Sequence, residues 1–250
     1  MERKALIEVR NVTVRYGKAT VLEDVSFDIF PGEIFVIVGG SGCGKSTLLR
    51  QLIGLERPSE GEITIEGDDI IHASGHERLN ILRKFGILFQ SSGLFASMSL
   101  AENISLLLES YTNLSPDRIN EIIELKLNSV GLSGYQNHLP GEISGGMKKR
   151  AALARAMALD PKILCFDEPS SGLDPVTSAS LDSLITELNR ALGTTMIVVT
   201  HDLSSILNIS QRIIMLDKST KGIVAQGTPH ELKNMKNNPT VYNFFNRIGN

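Results

Sequence analysis

The sequence predicts an α/β fold with a mainly parallel sheet, and three observations carry that prediction. Short apolar, β-branched runs alternate with stretches of helical periodicity. The nine residues Gly39, Gly40, Ser41, Gly42, Cys43, Gly44, Lys45, Ser46 and Thr47 fill the phosphate-loop pattern G-x-x-x-x-G-K-[ST] between a strand-like and a helix-like run. Two later apolar runs end in ionisable side chains, Asp167-Glu168 and His201-Asp202. Chemistry at strand ends is what a parallel sheet with its loops along one edge presents.

The chain of 250 residues suffices for one large domain, or a core with a smaller subdomain. Its 42% apolar and 21% charged residues are those of a soluble globular protein. A formal net charge of -3 provides no bulk attraction for nucleic acid or anionic membrane, so no nucleic-acid partner is expected. No apolar run approaches the ~18 residues that cross a bilayer. Met1-Glu2-Arg3-Lys4 leads into a strand without a signal-peptide core. Cys43 and Cys165 fall in the glycine loop and in an apolar strand, which suggests neither disulfide nor metal pair and fits a reducing cytosol. A membrane role must then come through a partner.

In order, Leu6 to Arg15 alternates apolar and polar residues as a half-exposed strand. Tyr16-Gly17 turns the chain, and Val21 to Phe27 returns as a second strand. Pro31-Gly32 punctuates the approach to Ile34-Phe35-Val36-Ile37-Val38, a buried strand. In the loop that follows, glycines let backbone N–H groups approach a polyphosphate closely. The helix beginning with Leu48, Leu49 and Leu52 aims its positive dipole end at the same anion. Lys45 adds a point charge, and the Ser46 hydroxyl is a Mg²⁺ ligand type. Gly61 to Gly67 reads as a short strand, Glu77 to Lys84 as a short helix, and Ile87-Leu88-Phe89 as a strand ending at Gln90.

From about 91 to 149 the character changes to helices and loops, with helical periodicity over Ile104 to Leu108 and Ile119 to Val130. This predicts a helical subdomain inserted into the α/β core. Ser144-Gly145-Gly146 opens an alanine-rich helix and is a second candidate anion site, though the same residues make an ordinary N-cap. Lys148-Lys149-Arg150 reads as a solvated helix face or a partner contact. Ile163 to Glu168 is a buried strand ending in two carboxylates, where Asp167 suits Mg²⁺ and Glu168 suits orienting an attacking water. Ser171-Gly172-Leu173-Asp174-Pro175 is a tight loop before a helix around Leu181 to Leu192. Met196 to Thr200 is another core strand, ending at His201. The tail from Asn238-Pro239 to Asn250 (238–250) places Val241, Phe244, Phe245 and Ile248 on one helical face, toward either its own core or a neighbour.

Taken together, these motifs resemble the ATPase subunits of ATP-binding cassette (ABC) transporters over nearly the whole chain. Tyr16 matches the adenine-stacking A-loop, Gly39 to Thr47 Walker A, Gln90 the Q-loop and Ile143 to Met147 the signature. Ile163 to Glu168 matches Walker B, Ser171 to Asp174 the D-loop and His201 the H-loop. The resemblance implies one cassette domain over 1–250, with a RecA-like P-loop core, an N-terminal antiparallel β-subdomain and the helical insertion. It implies a head-to-tail homodimer with ATP and Mg²⁺ between Walker A of one subunit and the signature of the other. Lys45, Gln90, Glu168 and His201 would then be catalytic, with Glu168 the base. Ser46, Gln90 and Asp167 would hold the metal, and Tyr16, the loop 39–47, Ser144, Gly145, Gly146 and Asp174 would contact nucleotide.

One departure narrows the resemblance. The usual last signature residue is glutamine, and here it is Met147, followed by basic residues and Ala-Ala-Leu-Ala-Arg-Ala. With Leu94-Phe95, Met98 and Asn103 after the Q-loop and the C-terminal tail, this is similar to the Mla, or Mkl-type, subfamily. The likeness implies phospholipid transport between bacterial membranes with a permease, an MCE-domain protein and a possible small regulatory subunit, at the cytoplasmic face of the inner membrane. An importer ATPase for another cargo and a soluble iron–sulfur assembly ATPase are the alternatives. Repair and translation proteins of the ABC type are excluded by the missing coiled-coil insertion and second cassette.

Overall fold

A computed structural model describes residues 4–248. The start of the expected domain (1–3) and the end of the expected tail (249–250) lie outside the described residues.

The opening hairpin is formed by β1 (Ile7–Tyr16) and β2 (Ala19–Ile29), which pair antiparallel. After them come the wholly buried β3 (Ile34–Gly39) and, beyond the glycine loop, α1 (Lys45–Leu52). Next are β4 (Glu60–Ile65), the two-residue β5 (Asp68–Asp69), α2 (Gly75–Leu82) and β6 (Phe85–Leu88). The helical stretch comprises α3 (Leu100–Tyr111), α4 (Pro116–Ser129) and α5 (Gly145–Ala156). Then β7 (Ile163–Asp167), α6 (Pro175–Leu192) and β8 (Thr195–Val199) return to the core. Between His201 and the tail the sequence predicts no element. There lie α7 (Leu203–Ile209), β9 (Arg212–Asp217), β10 (Gly222–Gly227) and α8 (Pro229–Lys233), and α9 (Pro239–Asn246) follows.

Two sheets result, as expected. An antiparallel sheet has the order β2-β1-β4-β5, and a six-stranded sheet has β10-β9-β3-β8-β7-β6. The latter is parallel from β9 to β6, with β10 antiparallel at its edge. β3 lies between β8 and β9 and packs into a core on each face, so a run with no polar residue is what it requires. Val36, Val38 and Phe166 point into one core, with the helical stretch, and Phe35, Ile37 and Cys165 into another, with α1 and the antiparallel sheet. Each such fully buried aliphatic or aromatic side chain contributes about 1.5–3 kcal/mol.

Register positions the site. Ile37 and Asp167 are both paired with Val199, so β7 and β8 end level and β3 runs two residues further along the same edge, to Gly39. The glycine loop continues from β3, Glu168 follows β7, and His201 lies two residues past β8.

Among the boundaries that differ from the sequence reading, three bear on the site or the tail. β6 ends at Leu88, so Phe89 and Gln90 lie in the loop beyond the strand. The expected boundary at 149 falls inside α5, a single helix whose Ala152, Leu153 and Ala154 are buried in the same core as α3 and α4. In the tail, Val241 and Phe245 pack into the protein's own core, while α9 ends at Asn246 and leaves Ile248 exposed. Arg247 takes a left-handed backbone (φ 56°), which turns Ile248 off the helical face that spacing assigns it. Asn103 has a plain structural role. Its amide donates to the carbonyls of Phe95, Met98 and Ser99 and accepts from the Phe95 N–H, fastening the loop before α3.

Candidate active site

The glycine loop needs glycine where the backbone crowds its surroundings. Gly39 has φ 147°, and a Cβ there would lie 2.3 Å from the Leu216 carbonyl oxygen. Gly44 caps α1 with φ 102° and no side-chain cap, so the first N–H groups of α1 are left for a ligand. No acid stands in the first turn of α1. Lys45 folds back over the loop, its Nζ donating to the Gly39 and Gly40 carbonyls at 2.9 and 3.1 Å. Cys43 is buried beneath, where burial pushes its thiol pKa up, so it contributes backbone rather than thiolate.

Around the loop lies a cavity of about 630 Å³, within the range of small-ligand sites. Its walls are Val21, the loop from Gly39 to Thr47 without Cys43, Gln90, Glu168, His201 and Phe244. At its floor the Ser46 hydroxyl donates to Asp167 Oδ1 at 3.0 Å. Burial pushes the Asp167 carboxyl up from its usual range, aided by the Glu168 charge and opposed by Ser46, Arg50 and Lys45. A desolvated carboxylate beside a hydroxyl is a fitting half-shell for a hard cation whose other ligands are phosphates and water. Among the described residues there is no cluster of three or more His, Cys, Asp or Glu side chains able to hold a metal alone.

Glu168 follows β7 with a left-handed backbone (φ 48°), uncommon outside glycine, and its N–H bonds the Val199 carbonyl at 2.8 Å. Its Oε1 lies 2.8 Å from His201 Nδ1, with the two side chains 12% and 68% exposed. The Gln90 amide donates to the Ser171 hydroxyl at 3.2 Å, joining the loop after β6 to the loop after β7. Tyr16 is 48% exposed beside Thr47, and its hydroxyl donates to Glu56, the main reason its pKa is raised.

Ser144, Gly145, Gly146 and Asp174 are not brought into this cavity. The Ser144 hydroxyl caps α5 by accepting from the Met147 N–H at 3.3 Å, and Ser144 and Gly145 face solvent. Asp174 caps α6, accepting from the Val176 and Thr177 N–H groups at 3.0 Å. Met147 packs against the core.

Sequence reasoning misses three residues here. Phe244 of α9 walls the main cavity, and Arg247 walls an adjoining one of about 450 Å³ that also borders Glu168, Ser171 and His201. Only the fold carries a tail more than 70 residues past Glu168 to that site. Lys149 is the third. The basic triplet is not a solvated face: Lys149 is 5% exposed and donates to the Gln90 carbonyl, while Arg150 bonds Val130 and Ser180. Burial lowers the Lys149 pKa, against the pull of Asp167 and Glu168.

Comparisons with known proteins give the family. The family model described as ABC transporter matches residues 22–171. The chain is 44% identical over 245 residues to the probable ribonucleotide transport ATP-binding protein mkl of Mycobacterium leprae, covering 97% of this chain and 70% of that one. It is 40% identical over 227 residues to the intermembrane phospholipid transport system ATP-binding protein MlaF of Haemophilus influenzae, covering 91% and 85%. Among solved structures, the dimeric post-hydrolysis state of the ATP-binding cassette MJ0796 bound to ADP and Pi superposes with a TM-score of 0.80 at 32% identity, covering 89% and 98%.

Proposed function

Because the chain belongs to the ABC transporter family and is an ATP-binding, ATP-hydrolysing subunit, we propose that it powers phospholipid transport between bacterial membranes as a homodimer docked on a permease. The carrying observation is the likeness to MlaF, which extends over 85% of that protein, with the Met147 signature and the Asn103-fastened loop alongside. Among the described residues no helix is long and apolar enough to cross a membrane, which fits a peripheral subunit at the cytoplasmic face of the inner membrane. An MCE-domain protein completes the assembly in this reading.

In the mechanism, Lys45 and the N–H groups at the start of α1 hold the β- and γ-phosphates, and Tyr16 offers its exposed ring to adenine. Ser46, Asp167 and Gln90 are the residues that would hold Mg²⁺, which when bound would neutralise charge developing on the phosphates. Glu168 takes the proton of the attacking water, and His201 holds Glu168 from one side and faces the γ-phosphate from the other. Ser144 and the free N–H groups of Gly145 and Gly146 close the cage across the dimer, because they lie outside their own subunit's cavity.

The mkl relatives favour a second reading, in which the cargo is a ribonucleotide. Tagging the protein, solubilising membranes gently and identifying what co-purifies separates the two. A permease with an MCE-domain protein and bound phospholipid is the expected result. A permease with a soluble solute-binding protein would overturn the lipid cargo, and soluble partners alone would overturn transport.

A further inference from the structure

The mechanism above makes no use of Lys149, yet the protein keeps a cation buried in the second turn of α5. An apolar residue of similar size would fill that position at lower desolvation cost. Its ammonium donates to the main-chain carbonyl of Gln90. Six residues on, Arg155 of the same helix donates to the carbonyls of Ser92 and Gly93. Both those residues have left-handed backbones, φ 65° and 64°, so the turn beyond Gln90 is conformationally demanding and is gripped at its apex. The Gln90 side chain meanwhile reaches the other way, to Ser171.

We propose that Lys149 is a positioning residue for Gln90. It fixes the main chain of residue 90 to α5, so the Gln90 amide follows the helix whose N-terminus meets the nucleotide of the partner subunit. Arg155 stiffens the segment just beyond, so a shift of α5 displaces Gln90 rather than flexing the loop between them. Engagement of Ser144–Gly146 is thereby reported to the metal-side amide of the same subunit. This rests on the reading that Gln90 and the α5 N-terminus serve one ATP reaction.

A double-mutant cycle on the full chain tests it, with ATPase kinetics and thermal melts of Lys149→Met, Lys149→Arg, Gln90→Ala and the pair Gln90→Ala with Lys149→Met. Lys149→Met is expected to lower kcat about tenfold, with KM for ATP within about twofold. Lys149→Arg, which keeps a donor, restores most of the rate. With no amide to position, Lys149→Met costs little more in the Gln90→Ala background. A full additive loss there, an unchanged kcat, or a loss that follows only a lowered Tm would overturn the proposal. An unchanged rate in Gln90→Ala would overturn the underlying reading of Gln90 itself, a distinguishable failure. Should the methionine variant fail to fold, Lys149→Gln runs the same cycle.

Discussion

Two helix N-termini in this chain carry glycines beside a buried lysine, and they are finished differently. At α1 the chain encloses its own helix start. Gly44 leaves the first N–H groups without a side-chain cap, Lys45 folds over the loop, and Val21, Gln90, Glu168, His201 and Phe244 wall the space. At α5 the Ser144 hydroxyl satisfies one N–H, Ser144 and Gly145 face solvent, and the lysine points backward to Gln90 instead of forward to a ligand. Neither helix has an acid in its first turn, so both leave the positive dipole end uncompensated. In the proposed reading one is a site and the other is half of one, which a second copy completes.

The comparison is tested most severely at the enclosed end. Glu168→Gln should lower ATP turnover about 10²- to 10⁴-fold while ATP still binds, measured by phosphate release beside equilibrium binding. An unchanged rate would remove Glu168 as the base.

Next in size is Gly145→Asp. A Cβ there meets only Leu173 at 3.7 Å, and an acid in the first turn suits the helix, so the fold should hold. Turnover should nonetheless fall roughly 100-fold or more, because the carboxylate opposes phosphate. Mixing this variant with Lys45→Ala, itself expected to lose nucleotide binding, creates heterodimers with one intact pair of ends. Recovered activity on mixing supports a site shared across the dimer. No recovery, with heterodimers present, would mean that both ends act within one chain and would break the comparison.

A smaller effect is expected at the cavity wall. Phe244→Ala should weaken ATP binding about threefold, the scale of a partly buried ring contact, with a modest fall in Tm, because Phe244 also packs against the core that buries Val241 and Phe245. Unaltered affinity would exclude α9 from the site.

The smallest effect concerns support for α5, since a Cβ on Gly146 would lie 2.5 Å from Thr177 at the start of α6. The Thr177 hydroxyl and N–H groups hold the Asp174 carboxyl below its ordinary value of 3.8. That stabilisation is fully present above the ordinary value and is lost as pH falls through the lower folded one. The Tm advantage of the native chain over Asp174→Asn, which keeps an N-cap, should therefore shrink below pH about 4. A constant difference would show that the charge of Asp174 does not matter.

Sequence alone determines the parts whose chemistry is local. A buried parallel strand must be apolar throughout, a loop with φ of 147° and 102° favours glycine, and a serine before a helical run is a ready N-cap, so Ile34–Gly39, Gly39–Thr47 and Ser144 are legible residue by residue. The carboxylates at the end of β7, Asp167 in the strand and Glu168 just beyond it, are legible too, because two acids closing an apolar run cost desolvation unless they meet a cation or solvent. What tertiary structure decides is who meets whom. The common pairing to Val199 brings Gly39, Glu168 and His201 to one edge, and it is a property of the sheet rather than of any segment. The basic triplet illustrates the limit: periodicity gives Lys148, Lys149 and Arg150 the same polar character, and only packing against the Gln90 loop buries Lys149. The tail does so again, where spacing puts Phe244, Phe245 and Ile248 on one face but Phe245 is buried in the core, Phe244 packs against that core and walls the cavity, and solvent takes Ile248. Burial depends on the surface opposite, and that surface belongs to residues far away in the chain.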